Sequence, residues 1–210
     1  MGAAGTKGMP RSERETQILD IASEHISQHG YAGLSTDAVA AAAGVSKPMV
    51  YHYFGGKPGL YIACVNRAAE TVCGAIDAVF DEPDPEQMIE QTLAIIFQAL
   101  AEHPFNWTIL QDTTHPAEGP AADAARAARD RRAAQAARGA VAVLGARGIH
   151  DPVDLSAFTE VWMATVGALV DWWIRHPETS TDAMIARCRR LMGTLWSGTT
   201  AASSAGQHDG

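Results

Sequence analysis

Apolar residues recur at helical spacing along most of the chain, and no stretch alternates in the manner of a β-strand. Near the start, Ile18, Ala22 and Ile26 form one stripe that ends at Gly30. Later stripes predict helices over 57–80, 85–102, 105–110, 121–144, 155–175 and 182–196. Together with the two short helices described next, the pattern predicts an all-α fold of about nine helices.

Two short helices separated by a tight turn are predicted between residues 35 and 54. Ser35 and Thr36 are good N-caps for the first helix, and Gly44 allows that helix to stop abruptly. Ser46 can cap the second helix, whose first turn accommodates Pro48 because the missing amide has no partner there. This order of caps, short helices and turn is typical of a helix-turn-helix motif.

The second helix, over 47–54, carries an unusual outward face. Val50 and Phe54 are four residues apart and are expected to pack inward. The outward residues are then Lys47, Met49, Tyr51, His52 and Tyr53. A helix in this position reads base edges in the DNA-binding members of this motif. The alternative is a helical hairpin whose aromatic side chains belong mostly to the core.

With its flanking helices, segment 11–65 resembles the N-terminal domain of the TetR family of transcriptional regulators. The resemblance rests on Ala22, Gly30, Tyr31, Thr36, Ala43, Gly44, Val45, Ser46, Tyr51, Phe54 and Lys57. It implies a helix-turn-helix DNA-binding domain over 11–56 and a ligand-binding and dimerisation domain over 57–197. It also implies a symmetric homodimer on double-stranded operator DNA, with a small-molecule effector.

The resemblance further implies roles for single positions. Phosphate contacts are expected from Thr36, Tyr51 and Lys57. The full DNA-contacting set that we predict is Thr36, Ser46, Lys47, Pro48, Met49, Tyr51, His52, Tyr53 and Lys57. One departure from the family pattern is that His52 and Tyr53 exchange the usual occupants of the middle positions, so that the Tyr53 hydroxyl is the candidate for the histidine's phosphate contact.

Charge adds little to this interpretation. Residues 1–60 hold five basic and five acidic side chains, so that the formal net charge of −8 arises in the remainder of the chain. Binding is therefore expected to depend on helix N-termini and hydroxyl groups aimed at phosphates more than on bulk charge.

The predicted helix over 155–175 is apolar around almost its full circumference, which favours burial on every side. We expect one face to pack on its own subunit and the other on a partner; the alternative is a central helix of a monomer. The predicted dimer interface consists of Trp162, Val166, Gly167, Val170, Trp173, Ile185, Leu191 and Leu195.

Aromatic and thioether side chains in the second half of the chain suit an apolar effector pocket with a few polar groups. The predicted ligand-binding residues are Phe97, His103, Phe105, Trp107, Gln111, Phe158, Trp162, Met163 and Thr165. Core packing explains most of them equally well. Five arginines between Arg126 and Arg138 could bind an anionic ligand, but a solvated helix face is the favoured interpretation.

Other classes of function find little support. His25 and His29 have the spacing of zinc ligands but no third ligand, so no metal is predicted. Catalytic and cofactor fingerprints are absent from the sequence, which predicts neither an enzyme nor a cofactor. The three cysteines have no CxxC spacing and are expected to be buried thiols.

No apolar run is judged long enough to cross a bilayer, and no signal peptide is evident, so that a cytoplasmic protein without membrane contact is expected. The Gly-rich ends, 1–10 and 198–210, are expected to be disordered. The predicted function is a ligand-responsive repressor that a small, largely apolar molecule releases from a palindromic operator, and the alternative is a ligand-independent DNA-binding protein.

Overall fold

The computed structural model describes residues 9–196, apart from the side chains of Leu195 and Trp196. The predicted disordered ends therefore lie outside the described residues, except for positions 9 and 10. All regular structure in the described part is helical, as predicted. The nine helices there are α1 (Arg11–Gly33), α2 (Thr36–Ala42), α3 (Lys47–Phe54), α4 (Lys57–Asp77), α5 (Pro85–Leu100), α6 (Phe105–Leu110), α7 (Pro120–Gly145), α8 (Pro152–Ile174) and α9 (Thr181–Trp196).

The chain divides into two compact units. Unit 1 contains the described residues up to Ala75 together with Glu102–Gln135, and unit 2 contains Ile76–Ala101 and the described residues from Ala136 onward. The two units are defined only by which residues pack together. The functional boundary predicted near residue 56 is a separate matter and stays a prediction.

Unit 1 is built around α1. The predicted stripe of Ile18, Ala22 and Ile26 is buried, and α1 packs on both α2 and α6. Helix α2 in turn packs on α3. From α4, Leu60 and Tyr61 are completely buried in the same unit. The short helices α2 and α3 are therefore supported by a core that longer helices provide.

In unit 2, α5 packs on α9. A cluster of buried side chains comprises Val79, Met88, Ile89 and Val143. Val79 belongs to a 3₁₀ turn, Ala78–Asp81, which replaces the last turn that the sequence predicted for α4. The apolar periodicity does not distinguish these two kinds of turn.

The N-caps of two helices differ from those predicted. The cap of α8 is Asp151, whose carboxylate accepts from the Val153 and Asp154 N–H groups, whereas Asp154 was the predicted cap. Pro152 occupies the first turn, where a missing amide costs nothing. Similarly, the Ser180 hydroxyl accepts from the Ala183 N–H at the start of α9 (3.2 Å), and the predicted cap Thr181 is the first helical residue.

The expectation that no apolar segment approaches a bilayer's thickness is wrong for α8. The helix is 23 residues long, and by length and composition it is apolar enough to span a membrane. Only 11% of its most apolar window is buried within the single chain. The three acidic residues of α8 interrupt the apolar run in the sequence. For this reason the sequence pattern underestimated the length of the apolar segment.

Candidate nucleic-acid interface

The two short helices and their turn form as predicted. The Ser35 hydroxyl accepts a hydrogen bond from the Ala38 N–H (3.2 Å) and caps α2. Gly44 in the turn has φ +64°, a conformation that glycine adopts without steric cost. Ser46 occupies the N-cap position of α3, but its side chain makes no capping hydrogen bond there. Gly55, with φ +72°, ends α3.

Helix α3 turns one apolar side chain inward and most of the others to solvent. Val50 is completely buried, as predicted. Met49 is 39% exposed and Tyr51 47% exposed. Tyr53 is half-buried, and the guanidinium of Arg11 lies 5.4 Å from its ring centroid. The exposed residues of α3 are Lys47, Pro48, Met49, Tyr51 and His52. Large apolar and aromatic groups held on a solvent-facing helix are typical of a contact surface.

Lys47 is oriented by the helix that precedes it. Its Nζ lies 2.9 Å from the Asp37 Oδ2 on α2 and 5.9 Å from the centroid of the Tyr51 ring. The hydrogen bond to Asp37 raises the pKa of Lys47. An exposed pair of this kind contributes little to stability, so that Lys47 can exchange Asp37 for a phosphate or a base edge at small cost.

Of the predicted phosphate-contacting side chains, one is already paired within the chain and a second is largely buried. The Lys57 ammonium donates to the Ala32 carbonyl (2.9 Å) and lies 4.8 Å from the centroid of the Tyr31 ring. Thr36 is the first residue of α2, and little of its side chain is exposed. The phosphate contacts of Lys57 and Thr36 stay predictions. The structure adds that Lys57 ties the start of α4 to the end of α1.

Gly59 permits a close approach that the sequence did not reveal. It lies in the first turn of α4, directly against the carbonyl oxygen of Phe54, the last residue of α3. A Cβ added at Gly59 would overlap that oxygen. The available signal was the glycine itself, since glycine is unfavourable inside a helix without a packing reason.

A second feature missed from the sequence is a loop after α6 that holds the end of α1. The Tyr31 N–H donates to Asp112 Oδ2 (3.0 Å), and the Ala32 N–H donates to the Thr114 Oγ1 (3.1 Å). Thr114 donates both its N–H and its hydroxyl to Asp112 Oδ1, at 3.0 and 2.7 Å. We call this arrangement the Asp112–Thr114 latch. It supplies acceptors for N–H groups that follow the non-helical kink at Gly30.

The Asp112–Thr114 latch depends on the backbone conformation of Gly30 and on the ionised state of Asp112. Gly30 has φ 63° and ψ −177°, a region essentially restricted to glycine, and a Cβ there would overlap the Thr114 hydroxyl. Burial opposes ionisation of Asp112, but the hydrogen bonds from Thr114 and from the Tyr31 N–H outweigh it and lower the pKa of Asp112. Burial and then the Asp112 charge raise the pKa of Tyr61. Asp112 is therefore a carboxylate, and Tyr61 a neutral phenol, at physiological pH.

The comparisons with known proteins agree with this geometry. The family described as bacterial regulatory proteins, tetR family, matches residues 18–64, which include α2 and α3. A TetR-like transcriptional regulator from Rhodococcus sp. RHA1 has a similar structure, with a TM-score of 0.67 and 25% sequence identity over 90% of this chain and 97% of that chain. Segment 18–64 is a tetR-family domain.

One further relative and one further solved structure are informative. The transcriptional activator FasR of Mycolicibacterium smegmatis is 28% identical over 123 residues, which are 58% of this chain and 56% of FasR. The chain thus spans about half the length of this curated relative. The structure of AibR in complex with isovaleryl coenzyme A and operator DNA is similar in fold, with a TM-score of 0.69 and 18% identity over 86% of this chain and 97% of that chain.

The ligand-binding residues predicted for this chain divide between the two units. His103, Phe105, Trp107 and Gln111 belong to unit 1; Phe97, Phe158, Trp162, Met163 and Thr165 belong to unit 2. Core packing accounts for several of them. Phe97 is completely buried in an edge-to-face contact with Trp173 (5.3 Å between centroids). Phe158 and Trp162 pack against the buried cluster of unit 2. A ligand role for these side chains stays a prediction.

Within a single chain, α8 has one buried and one exposed face. The predicted interface residues Val166, Val170, Trp173 and Ile185 are buried within unit 2, so that they have almost no surface to offer a partner. Gly167 and Trp162 are half-buried, Leu191 is 43% exposed, and the side chain of Leu195 lies outside the described part. The opposite face of α8 exposes Val153, Ala157, Val161, Ala164 and Ala168. This second set follows helical spacing and is apolar.

The histidine pair and the cysteines have structural explanations. The His29 Nδ1 lies 3.1 Å from the His25 carbonyl, and the two rings are 4.6 Å apart. Burial, with a smaller contribution from His29, lowers the pKa of His25. Among the described residues, no group of three or more potential ligands could hold a metal ion. The three cysteines are buried thiols, as predicted.

Proposed function

We propose that this protein is a DNA-binding transcriptional regulator of the TetR family, a repressor that dissociates from a palindromic operator when it binds a small effector. The observation that carries the proposal is the outward face of α3, where Met49, Tyr51 and His52 are exposed on a helix held by α2 and α4. The second helix of a helix-turn-helix lies in the major groove and contacts base edges with its outward side chains. A cytoplasmic location is part of this proposal, because the protein must reach operator DNA.

Affinity for DNA must come mainly from positioned groups. The formally neutral segment 1–60 lacks a broad basic surface, and Lys47 and Lys57 already have partners within the chain. Arg14, which the sequence places near the N-terminal arm, is buried. The phenol of Tyr51, the hydroxyl of Ser46 and the ammonium of Lys47 therefore supply the phosphate and base contacts that we propose.

We propose that a second copy of the chain packs against the exposed face of α8. Val153 is 75% exposed and Val161 60% exposed, on the most apolar helix of the chain. Packing this face and Leu191 against the same residues of a partner produces the symmetric interface of a homodimer. Such an interface buries on the order of 2,000 Å² or more. The low burial of α8 in one chain thus has an explanation that requires no membrane.

The effector response that we propose is a population shift between two forms of the dimer. Two recognition helices engage successive major grooves only at a separation of about 34 to 36 Å. A shift from 1:99 to 99:1 requires an effector that prefers the non-binding form by about 5.5 kcal/mol. AibR, a neighbour in fold, carries both an acyl coenzyme A and operator DNA in its structure, which supports a pairing of the two activities here.

Two substitutions in α3 test the interface directly. Tyr51→Phe removes a single hydroxyl, so that affinity is expected to fall roughly five- to tenfold for all DNA sequences alike. His52→Ala removes a group placed to face base edges and is expected to reduce discrimination at one base pair by about 1–3 kcal/mol. The measurement is fluorescence anisotropy with an operator and its single-base variants.

The matched control is His150→Ala, an exposed histidine in unit 2, for which both affinity and base preference should equal those of the wild type. Wild-type behaviour in both α3 variants would place the DNA elsewhere on the molecule.

A further inference from the structure

Arg132 in α7 is a buried cation without a carboxylate partner. It is 6% exposed, and no ion pair involving it occurs among the described residues. One Nη2 hydrogen bond runs to the Leu110 carbonyl (3.0 Å), and the guanidinium carbon lies 5.5 Å from the Trp107 ring centroid. The Nε is fully buried and has no hydrogen-bond partner. The sequence interpretation of this arginine as part of a solvated helix face is therefore incorrect.

A second buried polar group lies on the neighbouring helix. Asn106 is 2% exposed, and its side-chain oxygen has no hydrogen-bond partner. Asn106 precedes Leu110 by one turn of α6, and Leu110 is the residue that Arg132 contacts. Folded proteins leave very few buried polar groups unsatisfied, and each such group calls for an explanation, of which a bound ion is one.

A purely structural role explains only part of this arrangement. A single N–H is sufficient to cap the Leu110 carbonyl at the end of α6, whereas a guanidinium carries five. Burial lowers the pKa of Arg132, yet an arginine remains charged at any physiological pH. A buried charge without a counter-ion is strongly unfavourable. A ligand that brings the counter-ion removes this penalty and gains a charge-assisted, bidentate contact.

We propose that Arg132 binds an anionic group, a carboxylate or a phosphate, of an effector whose remaining part is apolar. The inference rests on the proposed ligand response and specifies the chemistry that the ligand must have. Trp107, buried in α6 beside the guanidinium, supplies an aromatic surface for the apolar part. The other arginines of α7 that could bind an anion are exposed, or are paired as Arg131 is with Glu70 (2.7 Å).

The site lies next to the Asp112–Thr114 latch in sequence and in unit 1. Leu110 accepts the hydrogen bond from Arg132, and Asp112, two residues later, accepts the N–H of Tyr31 at the end of α1. An anion that draws the guanidinium away from the Leu110 carbonyl releases the end of α6. The segment that carries Asp112 then shifts, and the support of α1 beneath α2 changes with it. Anion binding is thereby coupled to the DNA-reading helices.

The test uses three probes that share an eight-carbon chain: octanoate, octyl phosphate and octan-1-ol. Calorimetric titration of the full-length wild-type protein should show at least about tenfold tighter binding of one or both anions than of the alcohol. The better anion identifies carboxylate or phosphate as the natural group. Arg132→Met should abolish this preference, and the control Arg126→Met, an exposed arginine paired with Asp123 on the same helix, should retain it.

Several outcomes would overturn the proposal: equal binding of all three probes, no binding of any, or an anion preference that survives in Arg132→Met. A lowered melting temperature with unchanged preference would show that the guanidinium only caps α6. If Arg132→Met does not fold, Arg132→Lys replaces it and should weaken the preference, because an ammonium cannot bind two oxygens in parallel.

These probe titrations contain no DNA, so that their result is independent of whether the protein binds an operator. In a separate titration, the preferred anion should weaken operator binding by wild type and Arg126→Met but not by Arg132→Met. Unaltered operator binding by the wild type at saturating anion would refute the coupling.

Discussion

Replacing Gly59 by alanine is expected to lower the free energy of unfolding by about 1–3 kcal/mol and to weaken DNA binding at the same time. The methyl group would overlap the carbonyl oxygen of Phe54. A backbone oxygen cannot rotate aside as a side chain can, so α3 and α4 must separate. Because α3 carries the DNA-contacting residues, its displacement affects binding as well as stability.

The control for this substitution is Gly139→Ala in α7. The nearest atom to an added Cβ there is the Met88 Cε, at 4.0 Å, which is ordinary contact. Alanine is a better helix former than glycine, so that this variant should be more stable than the wild type by about 0.5–1 kcal/mol. Thermal unfolding at one protein concentration measures the stability of both variants and of the wild type. Equal stability of Gly59→Ala and the wild type would show that α3 and α4 are not in this close contact.

Introducing a charge at Val161 is expected to have the largest effect on function. In Val161→Asp, dimerisation would require burial of an unpaired carboxylate at the centre of the exposed face of α8, which is strongly unfavourable. The chain should then be monomeric at micromolar concentration. Loss of the second recognition helix should reduce operator affinity by about a hundredfold or more, because the two half-sites no longer bind together.

Val141→Asp controls for the introduction of an aspartate on the surface. Val141 is 56% exposed on α7, close to the exposure of Val161, but lies off α8. Sedimentation velocity should show a dimer for the wild type and for Val141→Asp, and a monomer for Val161→Asp. A dimeric Val161→Asp protein with unchanged operator affinity would place the interface on another surface.

The all-α fold and the helix-turn-helix were predictable from the sequence because their signals are local. The turn at Gly44 and the burial of Val50 depend on residues within a few positions of each other. The stripe of Ile18, Ala22 and Ile26 follows from helical spacing alone. The helix starts at Asp151 and Ser180 were misplaced by only a few residues, since several neighbouring side chains can serve as caps.

What the sequence could not show depends on contacts between distant segments. The Asp112–Thr114 latch joins residues about eighty positions apart. Arg132 looks like its solvated neighbours in an Ala- and Arg-rich helix, and only the packing of α6 reveals that it is buried. The all-round apolarity of α8 predicted two covered faces, but it could not show which residues belong to each face.

The most direct test of the central claim, that α3 is presented to the major groove twice by a symmetric dimer, is selection of DNA from a random pool by the purified protein. The enriched sequences should contain two inverted half-sites with centres about one helical turn, or a small multiple of it, apart. Enrichment of a single unrepeated site, or of no sequence at all, would contradict it.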